Sequence, residues 1–206
     1  MNIISREFAE IIGLLCAEGC HIVSFSSYWS KSERRYRKND RSERIEFYNK
    51  DYDLLLNYKQ LLLKEFNYHA RITKHNKINI GTKSIINKII EQTKLGNMKW
   101  RVPKSIINYN NNIKISFIRG YFDGDGTVSN RIRFFSTNKK GLIQVSNLLD
   151  CLKIKHTFQG PIIKENRKPA YIIQVSEKER ERFLKLIKPI SKRPGKIFAG
   201  VSREIN

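Results

Sequence analysis

Ile11-Ile12-Gly13-Leu14-Leu15-Cys16-Ala17-Glu18-Gly19 and Ile118-Arg119-Gly120-Tyr121-Phe122-Asp123-Gly124-Asp125-Gly126 are two nine-residue segments of one pattern, offset by 107 residues. Each is an apolar run with an early glycine, a closing glycine and a carboxylate just before that last glycine. Glycine inside a helix costs about 1 kcal/mol relative to alanine, so Gly13 and Gly120 need a reason to be there. A missing side chain lets two helix backbones touch. Gly13 and Gly120 are therefore expected at a helix-helix junction, with Glu18 and Asp125 brought together at its C-terminal tips. Acids at helix C-termini oppose the helix dipole, which argues that these two serve a ligand.

The likeness continues downstream. Arg44-Ile45-Glu46-Phe47-Tyr48 resembles Arg131-Ile132-Arg133-Phe134-Phe135, and at the same offset of 87 Leu55, Leu61, Leu62 and His69 fall on Leu142, Leu148, Leu149 and His156. The two offsets differ by 20, so the first copy carries 20 extra residues, placed at about 28–43 in a stretch rich in charge and turn-formers. One register kept through a strand and a helix marks an internal duplication.

Each copy reads as helix, hairpin, helix, hairpin, helix. In the first, the motif helix precedes a hairpin of residues 20–29 and 44–48. Residues 51–66 then carry a helical stripe of Leu54, Leu55, Tyr58, Leu61, Leu62 and Phe66. Residues 71–73 with 77–80 form a second hairpin, and 84–93 a closing helix. In the second copy the same elements are expected at 126–128 with 130–135, at 142–152, at 156–158 with 170–175, and at 177–187, which Pro189 ends. The fold class is α+β: two pseudo-symmetric αββαββα repeats, residues 1–97 and 113–206, joined by a linker at 98–112. Helices cover one face of each antiparallel sheet and leave the other face available for binding.

Forty Lys and Arg against 19 Asp and Glu give a net charge of +21, spread through both halves. A folded chain tolerates such self-repulsion when its partner is a polyanion, and nucleic acid is the default. Eleven Phe and nine Tyr within 40% apolar composition supply real cores and exclude a disordered polycation. The odd cysteines Cys16, Cys20 and Cys151 read as reduced thiols of an intracellular protein. Cys16, Cys20 and His21 lack the second pair that a zinc site needs, so core packing is expected of them. The N-terminal apolar run is too short to span a bilayer, so a soluble chain is expected, in cytoplasm, nucleoid or an organelle.

The two nine-residue segments resemble the LAGLIDADG motif of homing endonucleases, and the repeat order resembles that family's across nearly the whole chain. Cys16, Glu18, Arg119 and Gly124 depart from the family pattern, Glu18 harmlessly because both acids serve there. The resemblance implies a monomeric, intron-encoded, site-specific DNA endonuclease that hydrolyses phosphodiesters of a long asymmetric duplex target across the minor groove. It implies Glu18 and Asp125 as catalytic, metal-binding acids, with Ala17 and Gly124 completing the metal set for Mg²⁺ (or Mn²⁺). Such a pair suits a hard cation whose other positions go to water and phosphate. Asp123 is expected to be structural. The resemblance implies Lys50 and Lys139 as the candidate basic residues beside the scissile phosphate, and Asn49 as a polar residue near the metal that contacts DNA.

The outer sheet faces are expected to form a saddle over DNA, the major groove being wide enough for β-ribbons. In the first repeat Ser24, Ser26, Tyr28, Arg44, Glu46 and Tyr48 alternate with Phe25, Ile45 and Phe47, and Arg71, Thr73, His75, Lys77 and Asn79 form a similar row. In the second, Arg131, Arg133 and Phe135 alternate with Ile132 and Phe134, and Lys164, Arg167 and Lys168 add charge. Arg34, Arg35, Arg37, Lys38 and Arg41 in the extension, and the tail Lys192-Arg193-Pro194-Gly195-Lys196, suit phosphates. Two other readings use the same fold: an intron maturase binding RNA, and a DNA-binding regulator without catalysis. Both acids are present, which favours cutting. No N-terminal Cys or Ser and no C-terminal His-Asn frames the chain, so an intein setting is not expected.

Overall fold

The computed structural model describes residues 4–96 and 98–190. Helix α1 (Arg6–Glu18) starts where the Ser5 hydroxyl accepts from the Phe8 N–H at 2.9 Å, and stops at Gly19, where the backbone turns extended. Its counterpart α5 (Asn111–Asp125) starts under Asn110, which accepts from Ile113 N–H, and stops the same way at Gly126. Side-chain caps of this kind supply partners for N–H groups that the helix leaves unpaired.

The two motif helices pack against each other along their length. A Cβ on Gly13 would collide with the Phe117 carbonyl oxygen and sit 2.8 Å from Tyr121 N; one on Gly120 would collide with the Glu10 carbonyl and sit 2.9 Å from Leu14 N. Backbone meets backbone at both points, which is the physical reason for the two glycines. Around them Ile11, Ile12, Leu14, Leu15, Phe117, Ile118, Tyr121 and Phe122 are buried.

From α1 the chain runs into β1 (Gly19–Ser30) and returns along β2 (Arg35–Tyr48); α2 (Tyr52–Phe66), β3 (Lys77–Ile80) and α3 (Lys83–Ile90) complete the first sheet, of order β1-β2-β3. The short α4 (Lys104–Ile107) precedes α5. Then follow β4 (Gly126–Val128), β5 (Ile132–Ser136), α6 (Lys139–Cys151), β6 (His156–Ile162), β7 (Ala170–Val175), a 3-10 turn (Glu177–Glu179) and α7 (Arg180–Ile187), with sheet order β4-β5-β7-β6. All pairings are antiparallel. Helices α2 and α6 are capped by Asp51 and Asn138 at their starts, and the left-handed Asn67 (φ 50°) ends α2. No helix among the described residues is long and apolar enough to cross a membrane.

Three local expectations need correcting. The extra residues of the first repeat do not form a loop; they lengthen both strands of the β1–β2 hairpin, whose turn lies at 31–34. The hairpin outruns the helices that would cover it, so Phe25, expected to face inward, is 64% exposed, and Trp29 is 59% exposed. Residues 71–73 make a single bridge, Ile72 to Ile78, rather than a strand. There the Thr73 hydroxyl accepts from the N–H groups of His75 and Lys77 and closes a tight turn through the left-handed Asn76. The expected linker, residues 98–112, is packed: Trp100, Val102 and Ile106 are buried, and Asn138 Nδ2 donates to the Trp100 carbonyl at 2.8 Å.

Candidate nucleic-acid interface and paired-acid site

The site grows from the tips of α1 and α5. A Cβ on Gly124 would collide with the Ala17 Cβ and lie 3.4 Å from Glu18 Cγ. The small residues Ala17 and Gly124 therefore let the last turns of the two helices meet, and the Glu18 side chain lies against the backbone that carries Asp125. Both acids are half-buried. Strands leave each tip at once: Gly19 pairs with Phe47 and Gly126 with Phe134. Tyr121, wholly buried, donates to the Phe135 carbonyl at 3.3 Å and ties α5 to the end of β5, and burial pushes its phenol far up. Asp123 is buried and accepts from the Ile190 N–H at 2.9 Å, anchoring the segment after α7.

Among the described residues no group of three or more His, Cys, Asp and Glu side chains is placed to hold a metal. Two carboxylates are nonetheless a fitting donor set for a hard divalent cation that keeps several waters and borrows phosphate oxygens. Lys50 is exposed just past β2. Lys139 does not fit the role given to it: its ammonium lies 5.7 Å from the Tyr171 ring centre, on the helix side of the second sheet. Asn49 is also corrected. It is 1% exposed, its Oδ1 accepts from the Asp51 N–H, and it shapes the turn into α2 instead of facing outward.

Register assigns the sheet faces. Ile45, Phe47, Ile78 and Ile80 share the buried face of the first sheet, which leaves Ser24, Ser26, Arg44, Glu46, Tyr48, Lys77 and Asn79 on the other. There Glu46 accepts from Arg44 Nε at 2.8 Å and from Lys77 Nζ at 3.1 Å. The Arg44 hydrogen bond foremost holds its carboxyl below the usual range. Glu46 is thus an organiser of two cations, a role its place in an alternating row did not reveal. Arg71 and His75 are exposed beside this face, while the Thr73 hydroxyl is engaged in its turn.

Along the hairpin extension the cations are partly neutralised. Arg35 and Arg37 both reach Glu33, Arg37 also reaches Asp40 at 3.1 Å, and Arg41 reaches Glu43 at 3.1 Å. Tyr28 donates to Asp40 at 3.0 Å, and Arg34 and Lys38 are exposed. Cys20 is exposed rather than packed, while Cys16 is buried. The basic tail at 192–196 lies outside the described residues.

On the second sheet Arg133 donates to Gln174 at 2.9 Å; Arg131 is exposed. Desolvation, then the neighbouring Arg131, pulls the Arg133 guanidinium below arginine's usual range, a cost that an anionic partner would relieve. Lys164, Arg167 and Lys168 rim the same face with Phe135 and Ile172. Arg119, at a motif position where the family carries alanine, bridges the halves: it donates to the Ile187 carbonyl at 2.6 Å and pairs with the buried Glu10 at 3.4 Å.

Residues 112–188 match the family model of the LAGLIDADG-like domain. No curated protein matches the sequence. Mesophilic variants of the homing endonuclease I-DmoI have a similar fold, with TM-score 0.61 at 19% identity over 89% of this chain and 96% of that one. I-DmoI in complex with DNA and Mn gives 0.62 at 19%, over 88% and 96%. Full-length DUF199/WhiA from Thermatoga maritima gives 0.52 at 15%, over 93% of this chain and 59% of that one. The matched segment and the shared architecture lead to one conclusion: the chain carries a LAGLIDADG-like domain in its second half and has the LAGLIDADG fold along its described length.

Proposed function

We propose that the chain is a monomeric, divalent-metal-dependent endonuclease that cuts both strands of an asymmetric duplex DNA site. The observation that carries this reading is the meeting of the Glu18 and Asp125 segments at the tips of a backbone-to-backbone helix pair, one acid from each repeat. Structures of I-DmoI with DNA and Mn, and with DNA and Ca, support it by likeness. A net charge of +21 supports a polyanionic partner.

In this reading Glu18 and Asp125 hold Mg²⁺ or Mn²⁺, with backbone carbonyls of Ala17 and Gly124 as further oxygens. A bound divalent ion supplies Lewis acidity and lowers the pKa of water at the scissile phosphate. The chain's own residues do the rest. Arg44, Lys77, Arg131, Arg133 and the cations at 164–168 neutralise and orient the backbone. Lys50, exposed just past the end of β2, would help position the attacking water. The two outer faces read different base edges, so the target has no two-fold symmetry.

The test is a comparison of wild type with Glu18→Gln and Asp125→Asn on duplexes retained from a random pool, with Mg²⁺ or Mn²⁺ added. Each variant is expected to keep its affinity within a few-fold and to lose cleavage of at least one strand. Wild-type cutting by either variant would remove the catalytic assignment. Binding without cutting by the wild type would leave a DNA-binding protein on this fold.

A further inference from the structure

The outer face of the second sheet is not uniformly polar. Register puts Phe135 opposite Ile172 on the side away from the helices, next to Arg133 opposite Gln174. Ile172 is only 9% exposed there, and Phe135 is half-buried. With Ile162 and Ala170 they floor a shallow apolar pocket of about 160 Å³. Lys164, Arg167 and Lys168, on the β6–β7 connection, rim it. The homologous place in the first sheet is different: the pair corresponding to Phe135–Ile172 is Tyr48–Lys77, polar at both ends. Folding does not require the apolar version, since the helix-facing pairs Phe134–Ile173 and Phe47–Ile78 already supply the core.

We infer that this pocket is a specificity site that receives thymine methyl groups of the bound duplex, a reading that rests on the proposed function. Base edges in the major groove present donors, acceptors and one apolar group, the thymine C5-methyl. An adenine, guanine or cytosine edge set against Phe135 and Ile172 would lose water partners without gaining protein ones. A methyl fits the pocket and loses nothing. The three rim cations fit the phosphates on either side of such a base, so charge complementarity selects a nucleic acid rather than an apolar peptide or a second copy of the chain. The pocket lies at the end of β5 that follows directly on the pairing of Gly126 with Phe134, so the thymines sit on the inner part of the second half-site.

The experiment uses the full chain. Duplexes retained from a random pool are sequenced, and in the best-bound one each thymine is replaced singly by uracil, which lacks only the methyl. One or two replacements, all within one half-site, are expected to weaken wild-type binding roughly fourfold each, the effect of one buried methyl. In Ile172→Ala, and separately in Ile162→Ala, both checked for native circular dichroism, the uracil effect shrinks while the salt dependence of binding is unchanged. Uracil indifference at every position overturns the inference and leaves DNA binding intact. So does an equal uracil effect in wild type and both variants, or a DNA-free dimer that Ile172→Ala dissociates. A pool from which nothing is retained overturns the DNA reading itself, and the inference with it.

Discussion

The two sheets share an inner face and differ on the outer one. Phe47 beside Ile78 and Phe134 beside Ile173 are the same pair, because each sheet has to close over a motif helix. One residue along, Tyr48–Lys77 in one sheet stands against Phe135–Ile172 in the other, and Glu46–Asn79 against Arg133–Gln174. The first sheet also projects a long, ion-paired hairpin, whereas the second gains a fourth strand. Packing constrains alternate residues only, since side chains alternate across a strand. The residues between are therefore able to diverge, and here they have, which gives one molecule two unlike outer faces.

That comparison presumes two halves locked together by their motif helices, and the largest expected effect comes from breaking the lock. Gly120→Leu would drive a side chain into the Glu10 carbonyl and open the junction. It should cost more than about 4 kcal/mol, enough to abolish cooperative unfolding in urea. Gly81→Ala, where an added Cβ meets nothing within 4 Å, should change stability by less than about 0.5 kcal/mol. Equal behaviour of the two variants would refute the junction.

A more moderate effect concerns Glu10, which pairs with Arg119 across the same boundary. Burial, outweighing Asn57 and Arg119, raises its pKa above the usual glutamate value. The native state then binds a proton to higher pH than the unfolded chain, so this group's contribution to stability declines as pH rises through the interval between the two values. Thermal melts of Glu10→Gln should lack that decline, so the variant gains relative to wild type as pH climbs through the interval. Parallel pH profiles for the two proteins would contradict the assignment.

The smallest effect tests the polar face of the first sheet. Glu46→Ala should lower stability by about 1 kcal/mol or less, because its partners are substantially solvated. DNA affinity should fall more than that loss accounts for, since Arg44 and Lys77 lose the carboxylate that holds them side by side. Fluorescence anisotropy on a pool-selected duplex reads this directly. Tighter binding by Glu46→Ala would mean that Glu46 repels DNA more than it organises its neighbours.

Much of this was legible in the residues. The glycines of the motif, the alternation at 44–48 and 131–135 and the stripe at 51–66 report local periodicity and close approach, which side-chain size and spacing encode directly. What the residues did not reveal depends on where elements end relative to one another. Phe25 reads as an inward strand residue and is exposed because no helix reaches that far. Asn49 and Lys139 read as site residues by resemblance to the family, yet one is buried in a turn and the other lies over Tyr171 on the far side of the sheet.

The amino-acid order by itself determined that the chain is duplicated, that each copy is α+β, and that two acids end two glycine-bearing helices, because these follow from short side-chain patterns and from their recurrence along the chain. Only the tertiary structure decided that Arg119 and Glu10 bridge the halves, that Glu46 gathers Arg44 and Lys77, and that Phe135 and Ile172 form an apolar pocket. Such contacts join residues up to 109 positions apart, and their partners are chosen by sheet register and helix packing, which no local pattern specifies.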